Sequence, residues 1–70
     1  MQNFWMKVRG DFYNVNITSI QGMQLCMVDI MNEQVTFEFP QKEACRFQAK
    51  RVDPSLLREF AHRIESYLQS

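Results

Sequence analysis

The last quarter of the chain carries the pattern of one amphipathic helix, and this pattern limits the possible folds more than any other feature. Asp53 is a good helix N-cap, and Pro54 follows at the position where a helix best tolerates proline. The apolar residues that follow share one stripe at helical spacing: Leu57, Phe60, Ala61, Ile64, Tyr67 and Leu68. Because a helix with one apolar stripe buries it against a second layer, the preceding residues must supply that layer.

The preceding residues alternate between apolar and polar side chains, which is typical of strands with one face in water. The predicted strands are residues 4–9, 12–19, 23–30 and 34–39. Gly10-Asp11 and Gln21-Gly22 supply turn residues between the first three strands, and Pro40 ends the fourth. The alternation therefore predicts a meandering antiparallel sheet.

Two segments depart from simple alternation. Residues 25–28 form an unbroken apolar run, which predicts a strand covered on both faces. Residues 44–52 alternate again and are predicted as a further strand, whereas residues 41–44 have some helix propensity. We therefore expect an α+β fold, with a curved antiparallel sheet or small barrel of four or five strands and one C-terminal helix.

The length of the chain, 70 residues, predicts a single domain over residues 1–70. A domain of this size buries only about 60% of the surface that its unfolded chain exposes, so it needs a dense core or a partner. The sequence is 46% hydrophobic and 13% aromatic, with six Phe and five Met. This composition supplies a core and also suits a surface that binds another chain.

Charge and cysteine content exclude several function classes. The formal net charge is zero, which disfavours a general electrostatic nucleic-acid binder. Cys26 and Cys45 lie in no Cys-x-x-Cys pair, so we expect two buried thiols in a reducing cytoplasm, with a disulfide as the alternative. We see neither a signal-peptide pattern nor an apolar run long enough to span a bilayer, and predict a soluble cytoplasmic protein.

Catalytic machinery is not evident in the sequence. His62 is the only histidine and lies off the apolar stripe of the predicted helix, where solvent contact is expected. The acidic residues are scattered, and neither a dinucleotide-binding nor a phosphate-binding glycine motif occurs. The sequence predicts a non-enzyme with no catalytic residues, no cofactor and no metal site.

Large apolar side chains on the polar faces of the predicted strands suggest a binding surface. Trp5, Phe12 and Ile20 occupy such positions, and one helix covers only one face of a small sheet. Large apolar groups on a wet face need a cover, either from the helix of the domain itself or from another chain. We therefore predict protein–protein contact as the main function, with a homodimer as one form of it. In the alternative, the sheet curls and buries both faces internally.

A second interpretation of the sequence is a small regulatory protein that binds DNA or RNA. The candidate residues are Lys7, Arg9, Arg46, Gln48, Lys50 and Arg51. Basic side chains beside an aromatic platform such as Trp5 are a known way to hold a single strand or a groove. This interpretation rests on Arg46, Gln48 and Lys50 on one strand face, with Arg51 beside them. Trp5, Lys7 and Arg9 extend that face if the first strand and the 44–52 segment are neighbours in the sheet.

Residues 18–25 (TSIQGMQL) resemble the strand–turn–strand signature of PilZ domains, in which Asp/Asn-x-Ser-x-x-Gly precedes an apolar strand, with Ser19 and Gly22 at the matching positions. Residues 45–57 and the predicted helix resemble the closing strand and C-terminal helix of that family. Ile17 replaces the acidic or amide residue, and the Arg-x-x-x-Arg motif that binds cyclic di-GMP is absent. The resemblance implies a shortened, degenerate module that acts through protein contacts; non-canonical cyclic di-GMP binding is the second alternative.

Overall fold

Four long strands run back and forth in chain order and are followed by a very short fifth strand and one helix. The computed structural model describes residues 2–69. The elements are β1 (Gln2–Val8), β2 (Asp11–Ile20), β3 (Met23–Ile30), β4 (Glu33–Phe39), β5 (Arg46–Phe47) and α1 (Pro54–Gln69). All neighbouring strands pair antiparallel in the order β1-β2-β3-β4-β5. The predicted α+β fold is confirmed, in the form of an open sheet with β1 and β5 as its edges.

Three tight turns connect the four long strands. Both central residues of each turn have positive φ: Arg9 (51°) and Gly10 (87°), Gln21 (51°) and Gly22 (79°), Met31 (53°) and Asn32 (66°). Two residues with positive φ are characteristic of the type I′ turn, whose twist matches that of the flanking strands. The first turn was predicted one residue too late, because Arg9 takes the left-handed conformation and Asp11 already begins β2.

The hydrophobic core lies between one face of the sheet and α1. Phe60 of α1 packs edge-on against Tyr13, with ring centroids 4.9 Å apart, and lies 6.2 Å from the ring of Phe37. Phe37 and Phe60 are both fully buried. The other buried side chains of α1 are Leu56, Leu57, Ala61 and Ile64. We call this covered side of the sheet the inner face and the opposite side the outer face.

The start of α1 has the predicted cap. The Asp53 carboxylate accepts a hydrogen bond from the Ser55 N–H at 2.9 Å. The backbone carbonyl of Asp53 accepts hydrogen bonds from the N–H groups of Leu56 and Leu57, at 3.0 and 3.1 Å. The bonds that Ser55 makes to this carboxylate lower the pKa of Asp53. Val52, just before the cap, is buried. The Asp-Pro signal therefore predicted the beginning of the helix correctly.

The predicted strand over residues 44–52 is wrong in extent, because only Arg46 and Phe47 pair with β4. Farther along, the Glu33 carboxylate accepts the N–H groups of Lys50 and Arg51, at 2.7 and 2.8 Å. These two bonds lower the pKa of Glu33. They hold the backbone at the start of β4, so the chain leaves the strand ladder and approaches α1.

The expectation that β3 is covered on both faces is also wrong. Cys26 and Val28 are buried in the core on the inner face. Leu25 and Met27 lie on the outer face, where they are only half-buried. Within residues 2–69, α1 covers the inner face and no element packs over the outer one.

Candidate interaction surface

The outer face exposes two adjacent aromatic side chains near the β1–β2 turn. Trp5 is 68% exposed and Phe12 is 67% exposed. Trp5 lies opposite Asn14, and Phe12 lies opposite Lys7, so the two aromatic residues are diagonal neighbours across the β1–β2 pair. The Lys7 ammonium lies 5.5 Å from the centre of the Phe12 ring. We call Trp5 and Phe12 the aromatic corner.

A shallow depression of about 170 Å³ extends from the aromatic corner across the outer face. Its polar part includes Asn14 and Asn16, and Met27 contributes a half-buried apolar side chain. Amide groups beside apolar side chains offer both hydrogen bonds and apolar contact, as in the core and rim of a protein interface. The depression is therefore suited to contact with a protein surface.

Ile20 was predicted to belong to the same surface, but it lies at the other end of β2. It is 50% exposed and pairs with Met23 beside the β2–β3 turn. It lies eight positions beyond Phe12 in the same strand, which is about 26 Å at the usual rise per residue. The structure therefore brings Trp5 and Phe12 together and leaves Ile20 apart. Because all three side chains are exposed, the alternative in which the sheet buries both faces is wrong.

Strand β3 also contributes to this surface, which was not predicted from the sequence. Leu25 and Met27 face outward between Ile20 and the aromatic corner, opposite Thr18 and Asn16. Their signal was the apolar run over residues 25–28, which we attributed to burial by a second layer. An unbroken apolar run places apolar side chains on both faces of a strand, but it does not show that both faces are covered within the chain.

The basic residues of the nucleic-acid interpretation do not form one surface. Lys7 lies on β1 and Arg46 on β5, at opposite edges of the sheet, about 19 Å apart at the usual interstrand spacing. Arg9 pairs with Glu59 at 2.8 Å, and the Arg46 guanidinium lies 3.2 Å from the Glu38 carboxylate. Gln48, Lys50 and Arg51 lie in the segment between β5 and α1 and belong to no strand. The extension of the basic face by Trp5, Lys7 and Arg9 required β1 and β5 to be neighbours, and they are not. The expected strand face of Arg46, Gln48 and Lys50 is also absent, because β5 ends at Phe47.

Ser19 and Gly22, the residues of the PilZ-like signature, line an open cavity of about 460 Å³ between the end of the sheet and the C-terminal part of α1. Glu43 and Glu65 also line it. Two carboxylates oppose the binding of a phosphate group, so this cavity is poorly suited to a cyclic dinucleotide. The positive φ of Gly22, 79°, explains the glycine through the turn alone.

A second apolar groove, of about 510 Å³, runs along the free edge of β1 beside α1. The rings of Phe4 and Tyr67 stack there with centroids 3.7 Å apart. The Arg63 guanidinium donates a hydrogen bond to the Lys7 carbonyl at 3.1 Å. Side chains of α1 therefore reach the edge of β1. The groove between β1 and α1 was not predicted from the sequence.

The two thiols and the histidine have no features of a catalytic site. Cys26 and Cys45 are free, buried and half-buried respectively, and burial raises the pKa of each thiol to about 11. Thiols with such a pKa stay protonated and are poor nucleophiles. His62 is exposed on α1, as predicted. Among the residues described, no helix combines the length and hydrophobicity that crossing a bilayer requires.

Comparison of the chain with protein-family models, curated proteins and solved structures finds no match.

Proposed function

We propose that this chain is a non-catalytic protein-interaction module that binds its partner through the outer face of the sheet. The observation that carries the proposal is the aromatic corner: Trp5 and Phe12 are adjacent and each is two-thirds exposed. Large aromatic side chains supply much of the binding energy at protein interfaces. A surface of this kind contributes little to the stability of one copy and much to a complex.

Burial of the aromatic corner supplies part of the free energy of binding. Burying one fully exposed large apolar side chain contributes about 1.5–3 kcal/mol, so a partner that covers the exposed two-thirds of Trp5 and Phe12 gains about 2–4 kcal/mol from these two residues. Met27 and Leu25 extend the apolar contact along β3. The ordering cost of binding reduces this gain, but both aromatic residues lie on rigid strands, which keeps that cost low.

The PilZ resemblance supports the same function, because it implies a module that acts through protein contacts without the arginine motif for cyclic di-GMP. We propose the cytoplasm as its location. Cys26 and Cys45 are free thiols, which persist in a reducing compartment.

The test compares the wild type with the double variant Trp5→Ala, Phe12→Ser. His62→Ala serves as a control, since His62 is exposed on α1, on the opposite side of the molecule from the outer face. Self-association is measured by sedimentation velocity at micromolar concentration, and partner capture by photo-crosslinking. We expect association that is insensitive to salt, is lost in the double variant and persists in the control. Both replaced side chains are exposed, so the melting temperature measured at low concentration should hardly change.

The other candidate functions give distinct results in parallel assays. Retention on DNA or RNA that falls steeply with salt, without protein association, would replace the proposal by the nucleic-acid function. Saturable binding of cyclic di-GMP that is unaffected by the double variant would favour the nucleotide alternative.

A further inference from the structure

Within residues 2–69, no strand pairs with the outer edge of β1, so this edge directs backbone groups away from the sheet in a regular pattern. The pair Val8–Asp11 closes the two-residue Arg9-Gly10 turn, and the pair that closes such a turn is hydrogen-bonded. Because hydrogen-bonded pairs alternate along an antiparallel ladder, the residues of β1 that bond to β2 are Val8, Met6 and Phe4. The alternate residues Asn3, Trp5 and Lys7 therefore direct their N–H and C=O groups away from the sheet. The bond from Arg63 to the Lys7 carbonyl confirms this direction independently.

We propose that a second copy of this chain docks on this edge, with its β1 antiparallel to the first and a two-fold axis at Trp5. This inference rests on the proposed function and names the partner. The two sheets join into one sheet of ten strands. Edge strands with unpaired backbone groups are templates for such pairing unless charges, prolines or bulges prevent it.

The backbone of β1 is complementary to itself about this axis. Trp5 is the central residue of Gln2–Val8, so every residue of the strand has an opposite residue in the second copy. Asn3 lies opposite Lys7 of the second copy, and Trp5 lies opposite Trp5. The three outward-directed pairs offer six hydrogen bonds. The Lys7 carbonyl accepts one of them beside the bond from Arg63, because a carbonyl oxygen has two lone pairs.

The side chains of β1 also match in this arrangement. Lys7 is the only charged residue of the strand, and its opposite residue is Asn3, so no like charges face each other. On the outer face the two Trp5 side chains form a cross-strand aromatic pair. On the inner face Phe4 lies opposite Met6, an apolar pair that extends the groove beside Tyr67. The single lysine is weak protection for an edge strand of seven residues.

The dimer joins the aromatic corners of both copies into one surface. Phe12 is a diagonal neighbour of Trp5 in each copy, so the four rings become contiguous across the axis. This arrangement covers part of Trp5 and leaves Phe12 at the margin of an enlarged outer face. Pairing through the edge of β1 therefore uses the same residues that carry the proposed function.

The area of the contact predicts a weak dimer. A strand of seven residues is about 24 Å long at 3.4 Å per residue. Together with the shortest extent of the molecule, 18 Å, this length gives a contact of about 430 Å² per copy, roughly half of the ~800 Å² of a standard interface. We therefore expect a dissociation constant in the micromolar range.

The test uses proline as a probe of the outward N–H groups. Asn3→Pro removes one donor to the second copy and no bond within the sheet, whereas Asn3→Ala keeps every backbone group. We expect sedimentation velocity to show a concentration-dependent dimer for the wild type and Asn3→Ala. Asn3→Pro should be monomeric, with a melting temperature close to that of Asn3→Ala at low concentration. A dimer of undiminished affinity in folded Asn3→Pro would overturn the proposed pairing.

Crosslinking tests the register without proline. In a Cys45→Ser background, Trp5→Cys places two thiols at the axis, and a short bismaleimide should join the copies. Lys7→Cys places its two thiols about 14 Å apart along the seam and should crosslink poorly. Equal crosslinking of both variants would overturn the register.

The results also separate this inference from the proposed function. A strictly monomeric wild type that still captures another protein through Trp5 and Phe12 overturns the dimer and leaves the proposed function. An Asn3-dependent dimer in a chain whose outer face binds nothing supports the pairing and contradicts the wider function.

Discussion

Met31 has a backbone conformation that methionine rarely adopts. Its φ is 53°, in the β3–β4 turn, and its side chain is 65% exposed. The left-handed conformation therefore destabilises the folded state, and the side chain makes few packing contacts that could offset this. Asn tolerates the left-handed region better because its side chain bonds to nearby backbone. We expect Met31→Asn to raise the free energy of unfolding by roughly 0.5–1 kcal/mol, measured by urea denaturation at an unchanged m-value.

Met23→Asn is the matched control for the turn, since Met23 lies in extended backbone at the start of β3. The same substitution should bring no gain there. A Met31→Asn variant no more stable than the wild type would show that the left-handed conformation is not strained.

Single residues were predictable where the controlling interaction is local. Asp53 caps the helix through Ser55, two positions away, and the sequence signal was sufficient. The positive φ of Arg9 was not anticipated, because the turn type depends on the register of both strands and not on Gly10 alone. Trp5 and Phe12 were correctly placed on the polar faces of their strands, whereas the distance of Ile20 from them follows from the length of β2.

At the scale of elements, Glu33 joins the start of β4 to the segment before α1. Its carboxylate accepts the N–H groups of Lys50 and Arg51, and these bonds lower its pKa from 4.5. A carboxyl with a lowered folded-state pKa stabilises the fold above its unfolded pKa, and this contribution is lost as pH falls through the folded value. We expect the melting temperature of the wild type to decrease from about pH 4.5 downward, partly through Glu33.

Glu33→Gln should be less stable than the wild type at neutral pH and should lose less stability on acidification. Asp53 also has a lowered pKa, so Asp53→Asn provides the comparison for the acid response at the helix cap. Parallel melting curves for Glu33→Gln and the wild type down to strongly acidic pH would contradict a role for Glu33 in the acid response.

The same contact explains why one element escaped prediction. Residues 44–52 alternate as a strand does. The N–H groups of Lys50 and Arg51, however, bond to the carboxylate of Glu33 at the start of β4, 17 residues before Lys50, and not to a neighbouring strand. Alternation reports which side chains face the core and not which backbone groups form a ladder. Phe47 does face the core, where its ring lies 5.6 Å from that of Phe37, although the strand itself has only two residues.

For the whole molecule, the order of elements followed from the sequence because each of the first four strands pairs with its neighbour in the chain. Local alternation and turn residues are sufficient for such a meander, and a helix with one stripe can cover only one face. The open outer face and the free edge of β1 were not predictable in this way. The outer face and the β1 edge are the surfaces that remain once the core has formed. They were not predictable because the same apolar residue types occur in cores and in interfaces.

Dimerisation through β1 has a consequence for the stability of the whole molecule. Association of folded chains stabilises them by an amount that grows with concentration, about 2.7 kcal/mol at one hundred times the dissociation constant. For a domain of this size each kcal/mol raises the melting temperature by about 4–8 °C. The melting temperature of the wild type should therefore rise as its concentration passes from below to above the micromolar range, as followed by calorimetry. Asn3→Pro, which removes an outward N–H of β1, should melt at one temperature throughout. A wild type whose melting temperature is equally independent of concentration would contradict the dimer, because a complex formed only by folded chains must shift the unfolding equilibrium.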